Sequence, residues 1–178
     1  NGSFAHDFGD GGHQFVSWNW KESATAGFDI VGYTGNGTAG RTVAHNLGVT
    51  PNFIIVKERS SSRDWAIGHD DTWALNLRLN SSNGTYNTVQ SENQWNETAP
   101  TSSVFTVGSG TSGTYSGDTN TNNETYVAYC FASVEGYSKV GYYTGNGNAD
   151  GPTVYMGFKP AWLLIKRTDA AEDWWIYD

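Results

Sequence analysis

The chain has 178 residues, of which 22 are glycine and 15% are aromatic, and its formal net charge is −8. The acidic excess and the scattering of the ten basic residues argue against nucleic-acid binding, because phosphate contacts need clustered Lys and Arg. No apolar run approaches the roughly eighteen residues of a membrane span, and a single cysteine excludes a disulfide within the chain. The abundance of Gly, Thr, Asn, Ser and aromatic residues predicts an all-β fold with short strands and tight turns.

The first elements in chain order are an arm and two strands. Residues 1–13 are rich in glycine and predict a flexible N-terminal arm. Residues 15–20 and 28–33 alternate apolar and polar side chains, as half-buried paired strands do. The tetrad Thr-Gly-Asn-Gly at 34–37 follows, and its Asn-Gly step is typical of a tight turn.

The middle of the chain predicts the core of the sheet. Residues 53–56 form a continuous apolar run, which is typical of a central strand buried on both faces, and 64–68 are expected to pair with it. Strands over 75–79 and 104–107 complete this part. The polar stretch 80–100 and the Ser, Thr, Gly and Asn-rich stretch 108–125 are expected to be surface loops; the latter composition cannot build a core.

The sequence then resembles itself. Residues 126–131 resemble 15–20, residues 137–147 resemble 28–37, and residues 160–166 resemble 51–57, at offsets of about 110 residues. We therefore predict an internal repeat of about 110 residues, with a first β-repeat over 14–125. A partial second repeat over 126–178 is expected to pack with the first, or to be completed by further chain or by a neighbouring subunit.

The motifs resemble a known domain. Three strings carry the resemblance: Gly-Tyr-Thr-Gly-Asn-Gly (32–37), Pro-Asn-Phe-Ile-Ile-Val-Lys (51–57) and Glu-Thr-Tyr-Val-Ala-Tyr-Cys-Phe-Ala (124–132). They look like an uncharacterised β-rich domain of tail-fibre and appendage proteins from marine and cyanobacterial tailed phages. That domain often lies beside laminin-G-like or concanavalin-like sandwiches. The resemblance implies an antiparallel β-sandwich of jelly-roll, immunoglobulin-like or lectin-like type. It also implies a structural protein of the virion or extracellular surface without enzymatic activity. The alternatives are a glycan-binding module that recognises a receptor and a subunit of a bacterial extracellular fibril.

Three tryptophans are candidates for ligand contact. Exposed aromatic rings stack on sugars while nearby polar groups take the hydroxyls. Trp95 lies in the polar stretch 80–100, so we predict a surface position for it, and we add Trp73 and Trp175 as further contacts. The competing interpretation of such residues is core packing.

One loop predicts a cation site. Asp118, Asn120, Asn122 and Glu124 place oxygen atoms at alternate positions, a spacing with which a loop wraps calcium. The alternative is an Asn and Thr-rich turn, because the pattern lacks the glycine and the distal glutamate of a full calcium-binding loop. We predict no other cofactor and no catalytic residue, since no nucleophile or carboxylate motif accompanies the histidines.

The partial repeat predicts assembly. A half-unit ending at the apolar residues 174–177 would leave an open sheet edge, which isolated proteins avoid. A strand from a neighbour would close such an edge through main-chain hydrogen bonds. The expected partners are therefore other copies of the chain, together with other virion or fibril proteins and host surface polysaccharide.

Overall fold

The computed structural model describes residues 16–70, 73–111 and 113–178, and the predicted arm over 1–13 lies outside them. Over these ranges the fold is all-β, with a single short helix, α1, and two 3-10 turns at Ala24–Ala26 and Gln90–Glu92. In chain order the elements are β1 (Phe28–Thr34), β2 (Arg41–Ala44), β3 (Phe53–Glu58), β4 (Trp65–His69), β5 (Leu77–Arg78), β6 (Val104–Val107), α1 (Gly117–Asn120), β7 (Thr125–Phe131), β8 (Leu163–Ile165) and β9 (Trp175–Tyr177).

The main sheet has five antiparallel strands in the order β1-β7-β3-β4-β5. The central position predicted for the apolar run 53–56 is confirmed, because β3 lies between β7 and β4. β7 is inserted between β1 and β3, and Phe131 lies opposite both Phe28 and Phe53. β7, with which the predicted second repeat begins, therefore pairs on both sides with strands of the predicted first repeat.

A second layer covers one face of this sheet. β2 and β6 pair with each other and bring Val43, Phe105 and Val107 into the same core as Ile54 and Ala128 of the main sheet. Alternate residues of β3 and β7 are fully buried, which is the period-two pattern of strands whose opposite face is only partly covered. The two layers sharing one core are consistent with a β-sandwich.

Residues 132–178 contain less regular structure than predicted. β8 and β9 pair as an antiparallel hairpin, but 137–143 do not form the strand expected from their resemblance to the first part of the chain. Residues 16–20 are not a strand either, and β1 pairs with β7 instead. A strand forms only where a neighbour takes its backbone hydrogen bonds, and these segments have the apolar pattern without that neighbour.

The two hairpins nevertheless match in detail. Lys57 lies near the end of β3, and its Nζ donates to the carbonyl oxygens of Glu58 (2.8 Å) and Arg63 (2.7 Å). Lys166 follows β8, and its Nζ donates to the carbonyl oxygens of Arg167 (2.8 Å) and of Glu172 (2.6 Å). In each hairpin the lysine thus binds the carbonyl groups one and six residues further on. The repeat of about 110 residues stays a prediction beyond this match.

Candidate interaction surface

Trp95 and Trp73 lie inside the protein. Trp95 is 0% exposed and Trp73 is 7% exposed, and their rings meet edge to face at 5.3 Å. The Trp95 Nε1–H donates to the carbonyl oxygen of Ile67 at 3.1 Å. The surface position predicted for these two residues is therefore wrong, because the segment around Trp95 folds back against β4 and fills the core.

A glycine makes room for this pair. A Cβ atom on Gly68 would lie 2.3 Å from Trp73 and 2.6 Å from Trp95. Glycine inside a strand often marks the close approach of another group, so the Trp-Ala-Ile-Gly sequence of β4 holds a signal that the sequence interpretation missed.

A buried polar cluster lies next to this core. The Asp118 carboxylate is fully buried on α1 and accepts from Arg78 Nε at 2.8 Å and from Gln94 Nε2 at 3.1 Å. Arg78 also pairs with Asp64 at 3.0 Å. Burial raises the pKa of Asp118, and the hydrogen bonds from Arg78 and Gln94 oppose that rise. The cluster fixes α1 against β5 and the 90–95 segment.

The residues predicted to bind calcium are divided between core and surface. Asn120 is buried, and its Nδ2 donates to the carbonyl oxygens of Gly108 (2.7 Å) and Thr38 (3.0 Å). Asn122 is exposed and Glu124 is half-buried. Within the described ranges, no group of three or more His, Cys, Asp or Glu side chains could hold a metal ion. The side chains of Asp118 and Asn120 stabilise the loop through protein hydrogen bonds, and calcium binding there stays a prediction.

Two tyrosines form a small aromatic face beside the polar cluster. Tyr86, 43% exposed, stacks on Tyr115 with ring centroids 5.9 Å apart. The Arg78 guanidinium lies 4.3 Å from the centroid of Tyr115. A shallow cleft surrounds these groups, and it is also lined by Asn76, Leu77, Ser81, Asn83 and Gly84. No sequence motif links Tyr86 to Tyr115, since only the fold brings the two loops together.

Most of the exposed aromatic side chains among the described residues belong to the last third of the chain. We call this set the C-terminal aromatic surface and define it as Tyr137, Tyr142, Tyr143, Tyr155, Trp175 and Tyr177, all of which are more than half exposed. Trp175, one of the predicted ligand contacts, is 56% exposed on β9. A groove of about 460 Å³ runs between residues 133–140 and 155–157.

The hairpin of this region is anchored to the main sheet through one loop. Trp174 Nε1–H donates to the carbonyl oxygen of Arg78 at 3.1 Å, and Lys166 Nζ donates to that of Ser82 at 3.0 Å. The Thr85 N–H donates to the carbonyl oxygen of Thr168 at 2.8 Å. The hairpin is thus held to the 78–85 segment, while Trp175 and Tyr177 stay exposed.

Two buried ionisable groups have packing roles. Tyr126 donates from its hydroxyl to Glu58 Oε2 at 3.1 Å, and burial raises the pKa of Tyr126 to about 12. Cys130 is 0% exposed on β7, and burial raises the pKa of its thiol to about 12. Both groups are protonated at neutral pH, and Cys130 is the small buried apolar residue that its alternating sequence context predicts.

These features define an all-β protein with a packed main sheet, a polar cluster beneath a tyrosine face and an exposed aromatic surface near the end of the chain. Within that class, the chain belongs to the family described as a domain of unknown function (DUF7483), whose model matches residues 2–178. No curated protein and no solved structure matches it. In the described part of the chain, no helix is long and apolar enough to cross a membrane.

Proposed function

We propose that this chain is a structural module of a virion or extracellular appendage, such as a tail fibre, a knob or a surface fibril, and that it assembles with copies of itself. The observation that carries the proposal is the C-terminal aromatic surface. Its six aromatic side chains are all more than half exposed, and Tyr155 is 81% exposed. Aromatic residues are enriched at the centres of interfaces, and exposed large apolar side chains are more informative when several occur in one part of a protein.

The matched hairpins after β3 and β8 support the further proposal that the module is built from repeats of about 110 residues.

The assembly state tests this proposal. Sedimentation velocity of the chain over a range of concentrations should show a concentration-dependent oligomer. The double variant Tyr155→Ser and Trp175→Ser should weaken association at least tenfold, because it removes two exposed rings from the interface. Val89→Ser is the matched control, since Val89 is an apolar residue of similar exposure outside the surface. A chain that stays monomeric at high micromolar concentration contradicts the proposal.

The tyrosine face favours a second function, the binding of host surface polysaccharide. Tyr86 offers a partly exposed ring, and the amide of Asn83 and the guanidinium of Arg78 line the cleft beside it. A flat ring beside hydrogen-bonding groups is the usual composition of a sugar site. This replaces the buried Trp73 and Trp95 as the place where a glycan would stack.

Binding of soluble bacterial polysaccharides, measured by calorimetry, tests the second function. Tyr86→Ala should abolish binding, whereas Tyr142→Ala, at a more exposed tyrosine outside the cleft, should leave it unchanged. Loss of binding in Trp175→Ala alone would instead place the glycan on the C-terminal aromatic surface. Absence of binding to any polysaccharide tested would contradict this function.

A further inference from the structure

We infer that residues 16–20, which lie beside β8 but do not pair with it in the described structure, can add to β8 as a strand and close the edge of the C-terminal hairpin that β9 leaves open. Among the described residues, β8 pairs only with β9. The inference concerns pairing within one chain, so it stands or falls separately from the proposed assembly.

The first step is the match between the two hairpins. Val56 lies opposite Ala66 in the β3–β4 hairpin, and Ile165 lies opposite Trp175 in the β8–β9 hairpin. Both members of the second pair are displaced by 109 residues from the first, so the register is the same. β8 therefore corresponds to β3, residue by residue.

The second step is the strand on the other edge of β3. That strand is β7, where Phe131 lies opposite Phe53 with ring centroids 6.0 Å apart. The sequence Val-Ser-Trp-Asn-Trp at 16–20 corresponds to Val-Ala-Tyr-Cys-Phe at 127–131. In both segments the first, third and fifth side chains are apolar or aromatic, as on one face of a strand.

The third step is the position of residues 16–20 in the structure. The ring of Trp20 lies 5.7 Å from that of Trp162, and Trp162 corresponds to Phe53. Trp18 lies 6.5 Å from Trp162, and its Nε1–H donates to Asp178 Oδ2 at 3.0 Å. The Trp20–Trp162 contact thus reproduces the Phe131–Phe53 contact of the main sheet.

The correspondence with the main sheet predicts a register for the pairing. Phe131 lies opposite Phe53 there, so Trp20 comes opposite Trp162, Asn19 opposite Leu163 and Trp18 opposite Leu164. An open strand edge presents unpaired N–H and C=O groups, and an added strand satisfies them. The Trp20 ring lies between the two sheets, because it contacts Phe131 at 6.1 Å as well as Trp162.

A disulfide tests this register. In the main sheet the Arg59 N–H donates to the carbonyl oxygen of Thr125, the residue opposite it, at 2.7 Å. Opposite residues of two antiparallel strands alternate between hydrogen-bonded and non-hydrogen-bonded pairs. Counted along β3 from this bond, Ile54 and Cys130 form a non-hydrogen-bonded pair. The corresponding pair is Leu163 with Asn19, and side chains of such pairs are close enough for a disulfide. The variant Asn19→Cys/Leu163→Cys, made with Cys130→Ala, should form an intrachain disulfide on mild oxidation. The control Asn19→Cys/Ile165→Cys places the second thiol two residues out of register.

Peptide mapping by mass spectrometry measures both yields. A yield for 19/163 at least tenfold above that for 19/165 supports the pairing. Equal yields, or no disulfide in either variant, overturn it, and a disulfide formed only between chains overturns the same-chain pairing while leaving the proposed assembly in place.

Hydrogen exchange gives a second test without cysteines. Val16 corresponds to Val127, whose N–H points toward β3, and Ser17 corresponds to Ala128, whose N–H points toward β1. Val16→Pro should therefore speed hydrogen exchange of the 163–166 amides at least fivefold, because proline constrains the backbone of the pairing strand and removes the N–H of residue 16. Ser17→Pro should have a smaller effect on the same amides. Unchanged exchange in both variants would overturn the inference.

Discussion

The same short motif occurs twice in this molecule and has two different environments. Tyr33, in the first copy, stacks on Tyr126 at 5.1 Å and meets Phe105 edge to face at 6.0 Å. Its hydroxyl donates to the carbonyl oxygen of Thr119 at 2.6 Å, and burial raises its pKa well above the usual value. Tyr143, in the second copy, is 51% exposed. The difference shows that the motif alone does not determine whether its tyrosine is buried.

The last glycine of the motif has the same backbone conformation in both places. Gly37 and Gly147, the last residues of the two Thr-Gly-Asn-Gly tetrads, both have φ of 68°. The glycine conformation therefore recurs with the motif, whereas 28–34 becomes a strand by pairing with β7. Residues 137–143 have no such neighbour among the described residues and remain irregular.

The largest expected difference between the two regions concerns tryptophan. Trp95→Ala should lower the free energy of unfolding by about 3–5 kcal/mol, because it leaves a cavity in the core and removes the hydrogen bond to Ile67. Trp175→Ala, at an exposed position, should cost less than about 1 kcal/mol. Denaturant unfolding at low protein concentration measures both values. Equal costs would show that the two regions are packed alike.

The next difference concerns two ion pairs of equal length. Arg78 and Asp118 are 2.8 Å apart, and so are Arg167 and Asp169, but only the first pair has a buried carboxylate. Asp118→Ala should cost about 2–3 kcal/mol, because it leaves Arg78 and Gln94 without their acceptor. Asp169→Ala should leave the stability unchanged, as is common for exposed pairs.

The pH dependence of stability sharpens this test. The pKa of Asp118 is raised above 3.8 by burial, so its ionised form is less favourable in the folded state than in the unfolded state. Its contribution to stability is therefore largest below pH 3.8 and declines as the pH rises through the raised value. The difference in unfolding free energy between the native chain and Asp118→Asn should change across this window. A constant difference would contradict the assignment.

The smallest expected difference concerns the glycines of the repeated tetrad. A Cβ atom on Gly35 would lie 2.0 Å from the carbonyl oxygen of Thr121, whereas Gly145 has nothing within 4 Å. Gly35→Ala should cost about 1–3 kcal/mol through this clash, and Gly145→Ala should stay within about 0.5 kcal/mol. Gly37→Ala and Gly147→Ala should cost similar amounts, since both need positive φ. Thermal unfolding of the four variants gives the comparison.

The sequence correctly predicts those strands that combine a continuous or alternating apolar pattern with a neighbouring strand in the fold. The run at 53–56, its partner at 64–68 and the strand at 104–107 are all confirmed. The Asn-Gly turns and the buried Cys130 follow from local chemistry in the same way. These features depend on residues close together in the chain.

Features that depend on distant residues were not predictable. Trp95 was expected at the surface because its neighbours are polar, but Asn93, Gln94 and Asn76 are themselves buried in a hydrogen-bonded cluster. The pairing of Tyr86 with Tyr115 and of Arg78 with Asp118 likewise joins loops far apart in sequence. Composition identifies such stretches as loops and says nothing about which of their side chains point inward.

The position of β7 has a consequence for the order in which the chain folds. β1 and β3 are not neighbours in the sheet, and each pairs with β7, which ends at Phe131. During synthesis, β3 and β4 can pair as a hairpin early, but β1 has no partner in the main sheet until residues 125–131 have left the ribosome. The closing contacts therefore join residues about a hundred positions apart, which predicts slow folding dominated by the late insertion of one central strand.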